Sequence, residues 1–319
     1  MIQTLCEQTT DYNSFVSAIT HQVKEMMGED YSVRIFKVIK NNSLELDSLV
    51  VQKEGKNYAP NIYLMPYYNS YLEGTSVSVI ADRLCSIYKD CSIPIVDDNF
   101  TYSFEQMKQY IIFRLVSYER NQKLLSKIPH IKYMDLAITY HCLVRNDNEG
   151  IGTIRITNEH MEQWKVSRDE IDALAKTNTQ RLFPSSIRSM EEVIKTMLHE
   201  ELHGDGKEDF PEDLLDCFMS NDRVTHHKMY ILSNQKGING ASCMLYKDVL
   251  CEFAGQINSD FYIIPSSVHE IILVPYEKNM KKETLNKMVQ DVNCTQVALD
   301  EVLSDRVYYF SKEKNAILM

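Results

Sequence analysis

The sequence contains no apolar run of about eighteen residues, the least that spans a bilayer as a helix. Its longest apolar stretches, around Ile263 and Ile271, are interrupted by Pro265, Ser266, His269 and Glu270. The opening Met1-Ile2-Gln3-Thr4-Leu5-Cys6-Glu7 lacks the basic and apolar segments of a secretory leader. None of the eight cysteines forms a C-x-x-C pair. Most sit in apolar patterns such as Ile138-Thr139-Tyr140-His141-Cys142-Leu143, so buried, reduced thiols are expected rather than a disulfide or metal framework. No basic run exceeds Lys281-Lys282, and 34 basic against 45 acidic residues give a net charge of -11. That balance opposes attraction to nucleic-acid backbones and anionic membranes. A cytoplasmic protein without nucleic-acid or membrane partners is the expectation.

What is present is ordinary for a globular chain: 44% hydrophobic and 25% charged residues over 319 positions, room for two or three domains. Phe15, Ile19, Val23 and Met26 recur at helical spacing over 8–27. Alternation over 31–38 and 44–52 around Asn41-Asn42-Ser43 predicts a β-hairpin, and 61–64 a third strand. Helices are expected at about 67–90 and 103–126. A second hairpin is expected from 134–144 and 152–157, then helices near 158–164, after Ser167, and over 189–203. Strands at 229–233 and 241–246, 261–264 and 271–275, and 307–310 and 316–318 alternate with helices at 247–257 and 281–292. The class expected is α+β, with antiparallel sheets built from hairpins and helices packed on one face. The boundaries expected are an N-terminal α+β subdomain 1–128, a middle subdomain 129–203, a linker or insertion 204–228, and a ββαββαββ subdomain 229–319.

The chain resembles a bacterial domain-of-unknown-function family of gut anaerobes over nearly its full length. The residues that carry the likeness are colinear: Lys40-Asn41-Asn42, Pro60 to Leu64, Pro129-His130, Asp135-Leu136-Ala137, Ile156-Thr157-Asn158 with Trp164, Ala175 to Asn178, and Ser189 to Val193. The most specific is Tyr262-Ile263-Ile264-Pro265-Ser266-Ser267-Val268-His269-Glu270. The resemblance implies a cytoplasmic location and assigns no activity, substrate or ligand.

Two constellations invite chemistry. His199-Glu200-Glu201-Leu202-His203 matches the H-E-x-x-H zinc-hydrolase pattern, with Asp209 as a third ligand and Glu200 polarising a metal-bound water. Against this, helical phasing gathers Met190, Val193, Ile194, Met197 and Leu198 on one side. The two histidines then fall on the opposite, polar side, as on a solvated helix face. Within Pro265–Glu270, Ser266 or Ser267 with His269 and Glu270 suggests a nucleophile, base and orienting carboxylate. Neighbours on a strand point to opposite faces, which favours a rigid corner or a ligand-binding turn over a hydrolase. Tyr63, Tyr67, Tyr68 and Tyr71 form a tyrosine cluster that suits either a partner surface or a core edge.

No constellation is complete, so a non-enzymatic binding or regulatory module for a protein or small-molecule partner is expected, with no cofactor. The alternatives are a zinc hydrolase or a serine-type hydrolase at Ser267 and His269. Zinc content by mass spectrometry separates them. The expected result is no stoichiometric zinc in the wild type or in His203→Ala; near-stoichiometric zinc lost in the variant establishes the metal site.

Overall fold

The computed structural model describes residues 2–55, 59–90, 102–147, 150–203, 228–265 and 267–319; the side chains of 2–10, 90 and 197–203 lie outside this description. The chain divides into two compact units, Met1–Asn99 and Phe100–Met319, where the sequence suggested boundaries at 128, 203 and 228. The expected linker at 204–228 lies almost wholly outside the described residues.

In the first unit, helix α1 (Ile2–Met27) buries Phe15, Ile19, Val23 and Met27, one residue per turn. Strands β1 (Tyr31–Ile39) and β2 (Glu45–Lys53) pair antiparallel from Tyr31↔Lys53 to Ile39↔Glu45. Asn42 and Ser43 turn the hairpin in the left-handed region, at φ 57° and 60°. The short β3 (Ile62–Tyr63) extends the sheet beside β2. The single helix expected over 67–90 is two, α2 (Met65–Leu72) and α3 (Val77–Asp90). Gly74, at φ +100°, breaks the run in a conformation that side-chain-bearing residues resist. Ile80, Leu84 and Tyr88 of α3 meet Leu49 and Val51 in the core, where the Tyr88 hydroxyl donates to the Leu49 carbonyl.

The second unit corrects the helix expected over 103–126. A single α-helical turn, α4 (Phe104–Met107), and a 3-10 turn, Lys108–Tyr110, precede strand β4 (Ile111–Ser117), followed by the short α5 (Gln122–Leu125). The run Ile111-Ile112-Phe113-Arg114-Leu115-Val116 is rich in β-branched and aromatic residues, which suit an extended chain. β4 pairs along seven residues with β6 (Leu136–Asn146), from Ile111↔Cys142 to Ser117↔Leu136. On its other edge β6 pairs first with β5 (His130–Tyr133) and then with β7 (Ile151–Arg155). Helix α6 (Asn158–Trp164) starts with a reciprocal cap between Thr157 and His160, and α7 (Arg168–Leu182) starts at the Ser167 hydroxyl, which accepts from Glu170 N–H.

The remaining strands form a six-stranded antiparallel sheet in the order β13-β12-β10-β11-β9-β8. They are β8 (Ser185–Ser189), β9 (Tyr230–Asn234), β10 (Phe261–Ile264), β11 (Ile271–Pro275), β12 (Tyr308–Ser311) and β13 (Ala316–Leu318). After β8 comes α8 (Met190–His203), capped by mutual bonds between Ser189 and Glu192. The strand expected at 241–246 is a 3-10 helix, Gly240–Leu245, because Asn239 enters it left-handed at φ 54° and Ala241 N–H turns to the Val268 carbonyl. Phe253 of α9 (Val249–Ile257) packs edge-on to Phe261, while Val289 of α10 (Lys282–Thr295) clusters with Tyr262, Val274 and Val307. Adjacent strand residues face oppositely, so this sheet carries a helix on each face. The fold is α+β. No helix among the described residues is long and apolar enough to cross a membrane.

Asp135, in the β5–β6 turn, joins the two sheets of this unit. Its carboxylate accepts from the Tyr308 hydroxyl at 2.5 Å and the Ser304 hydroxyl at 2.6 Å. Arg120 and Asn293 hold the neighbouring Asp305 at 2.7 and 2.8 Å. Asp135→Ala leaves the buried Tyr308 and Ser304 hydroxyls without their charged acceptor, a loss of about 3 kcal/mol. A melting temperature lower by roughly 5–10 °C in calorimetry is the expected outcome, and an unchanged one would show the tie to be dispensable.

Candidate functional site

His199, Glu200 and His203 fall on α8, but their side chains, and all of Asp209 and Ser266, lie outside the described residues. Among the described residues no three His, Cys, Asp or Glu side chains gather as metal ligands. Tyr68 is buried against Tyr12 and Phe15, and Tyr67 and Tyr71 are half-buried against the same core. Burial pushes the Tyr67 hydroxyl up, opposed by the nearby Arg83 guanidinium. Tyr63 is also half-buried, with the Lys40 ammonium 4.3 Å above its ring.

Ser267, His269 and Glu270 sit in the corner between β10 and β11. Ser267 is buried, bridges to Val302, and its hydroxyl accepts from His269 N–H at 3.0 Å. The His269 ring meets other partners: Nδ1 accepts from Asn239 N–H at 3.3 Å, and Nε2 lies 3.5 Å from a Glu301 carboxylate oxygen. The carboxylate beside the imidazole is therefore Glu301 rather than Glu270, and both ring nitrogens are engaged away from Ser267. The same corner grips the turn after β9. Ser233 Oγ donates to the His269 carbonyl at 2.7 Å. Beneath it, a Cβ on Gly240 would lie 2.0 Å from Ser233 Oγ, 2.5 Å from the His269 carbonyl and 2.7 Å from Asn234 N, so this close approach requires glycine.

The turn held in this way, residues 234–239, forms one wall of a depression along the outer edge of β4. Thr179, Phe183, Ile112, Arg114 and Ile151 line it as well, and the enclosed space is no larger than a water molecule. Most polar groups here are committed. Thr179 Oγ1 accepts from Phe113 N–H and donates to the Ala175 carbonyl. The Asn234 carboxamide bonds Ile238 and Lys236 within its own turn, and Tyr246 donates to the Phe183 carbonyl. Arg114 differs. Its Nε is closed off from solvent and has no hydrogen-bond partner among the described residues.

The surroundings sharpen that oddity. Arg114 pairs with Thr139, and His141 pairs with both Ile112 and Arg155, so Arg114, Thr139, His141 and Arg155 share one face of the sheet. Burial, then the nearby Arg155, draws the Arg114 guanidinium down to about 10. Burial, then Arg114 and Arg155, holds the His141 imidazole well below its usual value. Arg114 is partly buried, its Nε fully so, and a guanidinium flanked by further basic groups is an anion's receptor in chemical terms. The sequence reading missed Arg114 because it placed the residue on a helix. A charge amid Ile112-Phe113 and Leu115-Val116 was the available signal.

The sequence matches a family of unknown function, DUF5688, over residues 12–312. The chain belongs to that family. The match spans both compact units of this DUF5688 protein, the His269 corner and the Arg114 depression included. No curated protein and no solved structure matches.

His141 makes the sheet face sensitive to acid. The unfolded chain takes up a proton near pH 6.5, whereas the folded imidazole, facing Arg114 and Arg155, resists it. This contribution to stability is present above about pH 6.5 and is lost as the pH falls below it. His141→Gln should therefore lose less melting temperature than wild type between about pH 7 and 5; parallel curves would refute the assignment.

Proposed function

We propose that this chain is a non-enzymatic binding module for a small acidic ligand, seated in the depression at Arg114. The observation that carries the reading is the Arg114 Nε, buried and without a partner among the described residues. A charged donor left so incurs a penalty that a native fold retains where an anion offsets it. The engaged ring nitrogens of His269 favour binding over chemistry at that corner, whose bonds to Ser233 and Asn239 shape the depression instead. Free thiols at Cys85, Cys142 and Cys243, all buried, support a reducing, cytoplasmic setting.

Arg114→Met keeps the bulk of the stem and removes the charge. Without ligand, the variant should be more stable by roughly 1–3 kcal/mol in urea unfolding. Saturation-transfer NMR with a mixture of small acids and their neutral amides should show acids bound to wild type and none bound to Arg114→Met. Equal signals from acids and amides, or turnover of an ester, peptide or phosphate substrate, would overturn the reading.

A further inference from the structure

We infer that two copies of this chain associate edge to edge through β1, antiparallel about a two-fold axis at Ile35, so that their three-stranded sheets join into one continuous sheet.

Backbone hydrogen bonding comes first. β1 ends its sheet, with β2 on one side and no strand among the described residues on the other. Along such a strand the backbone groups of successive residues turn alternately toward the neighbour and away from it. The Asp30 carbonyl accepts from Glu54 N–H, and Lys40 N–H donates to the Leu44 carbonyl, so the even-numbered residues face β2. The odd-numbered ones face outward. At the two ends, Tyr31 N–H is taken by the Gly28 carbonyl and Ile39 has a partner of its own. Between them, the outward N–H and C=O groups of Val33, Ile35 and Lys37 make no hydrogen bond among the described residues.

Three outward residues spaced evenly about Ile35 are complementary to themselves. A two-fold axis there sets Ile35 against Ile35 of the second copy, and Val33 against Lys37 on either side. Each of these pairs exchanges two N–H···O=C bonds. An axis at Arg34 instead would oppose two arginines and leave the outward groups of Lys37 facing Tyr31, whose N–H is already taken.

The side chains agree with this register. Arg34 of each copy falls opposite Phe36 of the other, a ring that is 48% exposed and that attracts a guanidinium. Lys37, 3.3 Å from the Asp47 carboxylate, falls opposite Val33, so no like charges oppose each other. On the core face, Val33 and Ile35 are half-buried, whereas their β2 partners Val51 and Leu49 are buried. A second β1 covers that open flank with apolar side chains of its own.

β1 also lacks the devices that blunt an edge. It contains no proline or glycine, and its pairing with β2 runs from Tyr31 to Ile39 without a bulge. The edge of β4, by contrast, is met by Thr179 and Asn178. A preformed strand loses less freedom on docking than a disordered peptide, which favours a second copy as the occupant.

The test is analytical ultracentrifugation of the full chain over a range of concentrations, with residue-resolved hydrogen exchange of β1. A monomer–dimer equilibrium is expected, with the Val33, Ile35 and Lys37 amides slowed in the dimer and fast in the dilute monomer. Lys37→Pro removes an N–H that β2 does not use and should abolish the dimer, while Lys37→Ala should keep it. Phe36→Arg, at an exposed position, opposes two arginines on each side of the axis and should weaken association roughly tenfold. Adding Arg34→Glu to that variant should restore it. A monomer at every concentration would overturn the inference. So would a dimer whose three outward amides exchange freely and which Phe36→Arg leaves intact, and so would a monomer whose amides slow only with an added extended peptide.

Discussion

The close approach at Gly240 is the constraint on which the working part of this molecule depends. A single missing Cβ lets the Ser233 hydroxyl, the His269 carbonyl and the Asn234 amide crowd one point. From that point two features follow. The turn after β9 is pinned to the corner between β10 and β11, and the pinned turn stands at a fixed distance from the edge of β4. The imidazole of His269 completes the arrangement through Asn239 on one side and Glu301 on the other. The corner is thus a scaffold for the turn after β9.

Much of the architecture was legible because local rules were obeyed. Alternation over 31–53 and the Asn-rich turn gave the first hairpin, and the Ser167 cap marked a helix start. β4 was not legible as a strand. Ile111, Leu115 and Tyr118 recur at i, i+4 and i+7, which imitates a helix face, and a strand covered on both sides shows no alternation to contradict it. Tertiary pairing with β6 decided the matter.

The site was less legible for a related reason. Sequence reading joins residues that are close along the chain, so it offered Glu270 as the partner of His269. The structure supplies Glu301, thirty-two residues away along the sequence, and supplies it across a bridge between Ser267 and Val302. Arg114 gave a fainter clue, a lone charge inside an apolar run, whose meaning depended on first knowing that the run is a strand and that its edge borders the 234–239 turn.

β4 ends its sheet, and its outward Phe113 N–H is met by a threonine hydroxyl rather than by another strand. Asn178 likewise answers the carbonyls of Lys108 and Ile111 with its side chain. Protection of this edge is therefore vested in two neighbouring residues of one helix instead of in a continuous backbone ladder. A template for intermolecular strand addition lies behind Thr179 and Asn178, and the colloidal behaviour of the chain is tied to those two positions.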